Sequence, residues 1–307
     1  MLLHQSSGKW RLGLALSLLT VFLWGILPIA LKVTLQGLDP YTVTWFRFLM
    51  SFGLLGVYLA TRNQLPSGEK LRSLPLRLLV IASIFLALNY ILYLIGLAYT
   101  TPANAQVLIQ LAPVLMGLGG IYIFQERYTL MQWTGLGVLT LGFVLFFNEQ
   151  LKTLINAQGT YLFGSALIII AAIVWSVYGL AQKQLLQQLT SANVMLLIYG
   201  ICAVLFAPFA QPQDILKLTP LQFSMLIFCG LNTIIAYGAF AESLEHWEAS
   251  RVSAVISSTP IVTLISVWMV AFLFPTWIVT NNLTVLAVFG AILVVVGSMT
   301  IALGKKH

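Results

Sequence analysis

The chain has 307 residues, of which 60% are apolar and only 7% charged, with a formal net charge of +7. A soluble domain of this length carries roughly 25% charged residues, so this one lacks the polar surface to face water on all sides, and lipid is the solvent its composition demands. The basic excess forms no dense patch and sits in short gaps between apolar runs, which excludes a nucleic-acid partner and reads instead as a topology signal.

A hydrocarbon core of about 30 Å takes about 20 apolar residues per helix. Runs of that kind cover residues 12–35, 41–60, 76–98, 103–124, 132–147, 161–185, 192–209, 221–244, 252–274 and 283–303, ten in all. The fold class expected is an all-α integral membrane protein with ten transmembrane helices. Between the runs lie turn formers: Gly37-Leu38-Asp39-Pro40, Pro66-Ser67-Gly68, Thr101-Pro102 and Gln211-Pro212. The first run follows Lys9 and Arg11 but is too long for a signal peptide and lacks a small-x-small cleavage site. With the N-terminus inside, eleven Lys and Arg fall in cytoplasmic gaps, among them Lys70, Arg72, Arg127, Lys305 and Lys306. Three, Lys32, Lys152 and Lys217, fall outside, which predicts both termini cytoplasmic.

The chain repeats itself. Trp24 and Lys32 of the first run correspond to Trp175 and Lys183 of the sixth; a shift of 147 carries Tyr90 onto Tyr237 and Pro113 onto Pro260. Gly135 and Gly142 correspond to Gly290 and Gly297. Two halves, 1–150 and 151–307, then hold five spans each. An odd number of spans forces the second copy to enter the membrane upside down, the inverted repeat from which many secondary transporters build a central site.

Polar residues inside the runs are the candidates for that site. Arg47 lies about six residues into the second run, roughly 9 Å deep at 1.5 Å per residue. It reads as a receptor for an anionic substrate group, or as a snorkelling or salt-bridged residue. Gln106, Gln110 and Pro113 share one helical face in the fourth run, and Ser253, Ser257 and Pro260 repeat the stripe in the ninth. Such a proline-broken polar stripe points to a midplane site, or to hydrogen bonding between helices. Asn89 and Tyr93 share a face of the third run beside Tyr90. Trp24, Trp175, Tyr178 and Tyr237 are mid-span aromatics that suit stacking on a substrate or plain packing, and Pro28 is expected to kink the first helix. Glu242, with Glu245, Glu248, His246 and Arg251 near it, is a carboxylate placed for proton coupling or for an interfacial charge cluster. Lys32 and Lys183 read as snorkelling interfacial residues.

Nothing in the sequence suggests a metal or cofactor. Cys202 and Cys229 lie in apolar runs without a CxxC or Cys/His cluster, and no phosphate-binding G-x-x-x-x-G-K-[ST] segment occurs. Two of the three histidines, His4 and His307, are terminal, and neither HExxH nor GxSxG is present, which weighs against an intramembrane enzyme. Asn282-Leu283-Thr284 is a formal glycosylation sequon that hugs the membrane.

The pattern resembles the drug/metabolite transporter superfamily, in particular its ten-helix EamA-type exporters. The resemblance runs through Trp24-Gly25 and Pro28, Arg47-Phe48, the stretch from Gly96 to Ala103, Leu111-Ala112-Pro113, Gln125-Glu126-Arg127, Gln132-Trp133-Thr134-Gly135 and Gly142. In the second half it takes in Ser243-Leu244, Ala249-Ser250-Arg251 and Thr259-Pro260. One departure stands out: the Gly-Glu pair usual after helix nine is replaced by Leu273-Phe274-Pro275-Thr276, so Glu126 has no counterpart. The resemblance implies a basket of helices one to four and six to nine around a cavity, with five and ten outside it. It also implies export of amino acids or similar small solutes from a bacterial inner membrane, by a monomer or homodimer. A phosphorylated-sugar or nucleotide-sugar antiporter of the same superfamily is the nearest alternative, and it would want several cations in the cavity.

Overall fold

A computed structural model describes residues 6–68, 71, 74–126, 128–146, 148, 159–273 and 284–303. Its elements are helical: α1 Trp10–Thr34, α2 Pro40–Thr61, α3 Leu76–Tyr99, α4 Pro102–Leu108, α5 Leu111–Ile123, α6 Leu130–Phe146, α7 Thr160–Leu185, α8 Ser191–Phe206, α9 Pro220–His246, α10 Ala249–Ile256, α11 Thr259–Leu273 and α12 Val285–Leu303. Eight segments are long and apolar enough to cross a membrane, and Leu130–Phe146 and Val288–Ile301 are shorter apolar helices. Arg127, Phe147, Lys152, Phe274 to Thr276, the sequon residues Asn282 and Leu283, and His4, Lys70, Arg72, Lys305, Lys306 and His307 lie outside the described residues.

The starts of the helices follow from their sequence. Asp39 accepts the amides of Tyr41 and Thr42 at 2.8 and 3.1 Å with Pro40 in the first turn of α2. Thr219 and Gln222 form a reciprocal capping box ahead of Pro220 in α9. Pro28, expected to kink α1, sits inside one unbroken helix. The fourth and ninth runs are the ones that break. Pro113 and Pro260 have no N–H to give and crowd the carbonyl four residues back, Ile109 and Ile256. The chain turns at residues 109–110 and 257–258, 148 apart and so within one residue of the shift that relates the two prolines.

Every long helix of the first 146 residues pairs antiparallel with one from beyond residue 160. α1 lies along α9, α2 along α8, α3 along α7 and α6 along α12. Glycine makes the closest approaches. A Cβ on Gly135 would meet the Gly297 carbonyl oxygen at 3.0 Å, and one on Gly142 the Gly290 oxygen at 2.9 Å; Gly96 and Gly164 face each other across α3 and α7 in the same way. In lipid, apolar side chains gain little by leaving one apolar solvent for another, so backbone proximity and dispersion hold such pairs. Apolar side chains such as Phe22, Val57, Tyr122, Trp268 and Phe272 remain on the outer surface, as lipid contact requires.

A methyl group at Gly290 would stand 2.3 Å from the Phe146 amide nitrogen, while one at Gly137 would meet nothing within 4 Å. Gly290→Ala is expected to cost roughly 1–3 kcal/mol through overpacking, lowering the unfolding midpoint in detergent, with Gly137→Ala as the neutral control.

Candidate functional site: a central aromatic cavity with one arginine

A cavity opens between α1, α2, α3, the broken α4–α5, α7, α9 and the broken α10–α11. Its wall includes Trp24, Pro28, Arg47, Asn89, Tyr90, Tyr93, Gln106, Gln110, Pro113, Trp175 and Tyr237. Among the described residues, none of α6 or α12 lines it. The breaks supply part of the wall: with α4 ended at Leu108, the Gln106 carbonyl takes the Gln110 side-chain amide at 3.1 Å. That fixes the amide's orientation and leaves the Gln110 side-chain oxygen without a protein partner.

Arg47 is 2% exposed. Its Nε donates to Thr233 Oγ1 at 2.9 Å, and its Cζ stands 4.5 Å from the centroid of the Tyr90 ring. Thr233 in turn donates to the Cys229 carbonyl at 2.8 Å, which aims its oxygen at the guanidinium. Among the described residues no carboxylate lies within ion-pair distance of Arg47, and its burial excludes snorkelling. A guanidinium desolvated without an anion costs several kcal/mol. The Tyr90 face, worth about 0.5–2 kcal/mol, offsets part of that. A bidentate carboxylate would offset far more, because the planar fork matches it.

The floor of the cavity is aromatic. Trp24 meets Tyr237 at 4.8 Å and Trp175 at 5.6 Å between ring centroids, both edge-on, and Trp175 packs on Phe240 at 5.1 Å. Tyr90 and Tyr237 stand 5.4 Å apart. Residues matched by the internal repeat thus meet each other at the centre. Edge-to-face contacts of this kind rigidify the floor, and the Trp24 indole nitrogen has no partner there.

Other sequence candidates lie elsewhere. Ser253 and Ser257 face a separate small cavity toward Gly117 and Tyr128 rather than the arginine, because α10 turns its serine stripe to α5 and α12. Tyr178 is buried behind the floor with its hydroxyl 3.6 Å from the Met195 sulfur, and Pro260 is buried at the start of α11 off the cavity wall. Glu242 lines a different cleft between α1, α2, α8 and α9, bonded by Ser191 Oγ and by His246 at 3.3 Å.

Lys183 does not snorkel. It is 2% exposed and pairs with Glu126 at 2.7 Å, its ammonium 4.9 Å from the Phe124 ring. Glu126 also accepts the amides of Ala249 at 2.9 Å and Ser250 at 3.0 Å, so it caps the amino end of α10. Gln125, at φ 55°, reverses the chain after α5 and folds Glu126 back over Gly120, where a Cβ would stand 2.9 Å from its carboxylate oxygen. Sequence reasoning missed this cluster and Thr233; the absence of a second Gly-Glu was its only trace. Lys32, the counterpart of Lys183, donates instead to the carbonyls of Leu97, Ala98 and Thr100 at 2.9, 3.4 and 3.0 Å.

Known proteins resemble the chain throughout. Residues 11–148 and 162–303 match the profile of the EamA-like transporter family. The chain belongs to that family. An inner membrane transporter of Escherichia coli K12, YhbE, described as uncharacterized, is 38% identical over 296 residues, covering 96% of this chain and 92% of the relative. A Haemophilus influenzae transporter, also described as uncharacterized, is 35% identical and covers 96% of both chains. A more distant E. coli relative, 23% identical over 92% of each, is described as a probable amino-acid metabolite efflux pump. One crystal structure, 16% identical, aligns with a TM-score of 0.70 over 94% of this chain and 96% of its own, which speaks for the fold. The molecule is therefore a membrane transporter of the EamA family.

Glu126 gives this end of the transporter a pH dependence. Burial alone would push its carboxyl up, but the Lys183 ammonium and the donors at Ser250 outweigh burial and hold it below the ordinary value of 4.5. A depressed carboxylate contributes stability above its unfolded value and loses it as pH falls. The unfolding midpoint is expected to hold from about pH 8 to about pH 5 and to drop below about 4.5, with Glu126→Gln showing a shallower acid limb.

Proposed function

We propose that this chain is a secondary transporter that exports small, carboxylate-bearing solutes, amino acids or similar metabolites, by alternating access across a bacterial inner membrane. The observation that carries the reading is Arg47: a buried guanidinium with no carboxylate partner among the described residues, on the wall of an aromatic cavity. Trp24, Trp175, Tyr90 and Tyr237 offer apolar faces to the body of the solute, while Asn89, Gln106 and Gln110 offer neutral polar groups. The efflux pump among the distant relatives is consistent with this substrate class.

Ten spans in two inverted halves supply the mechanism. Supporting this are the antiparallel pairing of each long helix with one from the other half, the helix breaks 148 residues apart, and the meeting of Trp24 with Trp175 and Tyr90 with Tyr237. Two halves related in this way can rock about a central site and expose it to either side in turn. The distribution of basic residues orients the chain with both termini cytoplasmic. A nucleotide-sugar or sugar-phosphate antiporter is disfavoured, because among the described residues Arg47 is the one cationic side chain on the cavity wall. The chain's family consists of transporters, which argues against an intramembrane enzyme.

Purified protein in liposomes, given a mixed pool of amino acids and related metabolites, is expected to accumulate one chemical class saturably, read by mass spectrometry. Arg47→Gln is expected to abolish that accumulation at unchanged folded yield. Loss of folding instead would make Arg47 a structural residue and remove the basis for a carboxylate substrate.

A further inference from the structure

The two ends of the molecule are fastened differently. At one end Glu126, on the connection between α5 and α6, ties together Lys183 of α7 and the first two amides of α10. Glu126 belongs to the first half of the chain and its three partners to the second, so the tie crosses between halves. Lys183 and Glu126 are both buried, and the end they close is filled behind the aromatic floor by Tyr178, Met116 and Phe240.

The counterpart end has no such tie. Lys32, equivalent to Lys183, bonds the carbonyls of Leu97 and Thr100 at the end of α3, within its own half. The position equivalent to Ala249 is Pro102, which has no amide hydrogen to give a carboxylate. Across the halves at this end, Asn104 donates to Ser165 Oγ at 3.0 Å and the Gln211 amide to Thr42 Oγ1 at 2.8 Å, both uncharged contacts. Among the described residues, no ion pair joins the halves there. The cavity itself extends toward this end, along Leu27, Pro28 and Leu31 of α1 and Tyr93 and Leu94 of α3.

We propose that Glu126, Lys183 and the amino end of α10 form a latch, made only while the Glu126 end is closed, that biases the resting transporter toward the conformation whose cavity opens at the Lys32 end. The inference rests on the alternating-access reading above but not on the identity of the substrate. An interaction present in one conformation and absent from the other shifts their populations by its full differential free energy. The same charges, parted by opening, must be rehydrated, so the end opens only when water or solute reaches them. Because Glu126 carries both the ion pair and the helix cap, one side chain controls two contacts. Lengthening the gap by a single methylene weakens both at once.

The test reads which end is open, without transport. A cysteine replacing Ser253, buried against Gly117 between α5 and α10, reports on the Glu126 end, and one replacing Tyr93 reports on the cavity. The buried native Cys202 and Cys229 set the blank. Each reporter is labelled in vesicles by a membrane-impermeant maleimide from each side. Glu126→Gln is expected to raise labelling of the Ser253 reporter from the Glu126 side by about tenfold and to lower labelling of the Tyr93 reporter from the other side. Glu126→Asp, which keeps the charge but shortens the reach, should move both in the same direction by a smaller factor; it decides the matter if Glu126→Gln does not fold. Unchanged labelling of both reporters in a folded variant would overturn the latch and leave the ion pair a static brace. If labelling from the two sides never responds in opposite senses, even under imposed substrate gradients, alternating access itself fails, which distinguishes the two outcomes.

Discussion

Hydrocarbon offers no hydrogen bonds, so every backbone group of this chain that leaves a helix inside the apolar layer must find a partner within the protein. That requirement shapes the two places where the helices break. At residues 109–110 the Gln110 side chain turns back onto the Gln106 carbonyl, and at residues 257–258 Ser257 and Thr259 donate to the carbonyls of Ser253 and Ile256. Each break lies where other helices surround it, and each abuts or lines a cavity. The prolines force the interruption; the neighbouring Gln, Ser and Thr side chains make it affordable. Irregular backbone at this depth is where a membrane protein can present polar atoms to a solute.

The same solvent explains how the helices are held around those breaks. No hydrophobic effect drives one apolar helix against another in lipid, so close glycine contacts carry the pairs of α6 with α12 and α3 with α7. Cross-helix hydrogen bonds supplement them: Asn89 to the Ala171 carbonyl joins α3 to α7, and Asn232 to the Leu23 carbonyl joins α9 to α1. These polar residues sit in spans without facing the cavity by necessity; Asn232 does structural work away from its wall. Polarity within a span is thus an imperfect guide to function, and geometry has to separate the two uses.

Much of the architecture was legible because membrane helices announce themselves by length and hydropathy, and because Trp, Tyr, Pro and Gly are rare enough in register to reveal a repeat. The breaks near Pro113 and Pro260 followed from that register; it matched Gly135 and Gly142 to Gly290 and Gly297, and their contact across α6 and α12 came with the fold. The repeat misled at the second serine stripe: Ser253 and Ser257 correspond in sequence to Gln106 and Gln110, yet α10 turns them toward α5 and α12. A shift of register maps positions, not the direction in which a broken helix faces. Thr233 and the Glu126–Lys183 pair were illegible for another reason. A threonine in a span resembles many others, and two charges 57 residues apart carry no sign of contact until the fold brings them within 2.7 Å.

Departures from symmetry matter more to function than the symmetry does. Two identical inverted halves would make the inward-open and outward-open forms mirror copies of equal free energy, with a site that reads the same from both sides. Here Arg47 has no equivalent in the second half, so the cavity presents its charge from one wall; on the function proposed above, that charge orients a solute with one acidic end. Glu126 has no equivalent either, so the ends of the molecule differ in what must be broken to open them. An ion pair as buried as this one, with Lys183 2% and Glu126 9% exposed, gives little net stability over an apolar substitute. On the alternating-access reading proposed above, its value lies in distinguishing two states that the repeat would otherwise leave alike. On the reading of two rocking halves proposed above, the two states differ in free energy only where the copies have diverged, as they have at Arg47 and at Glu126.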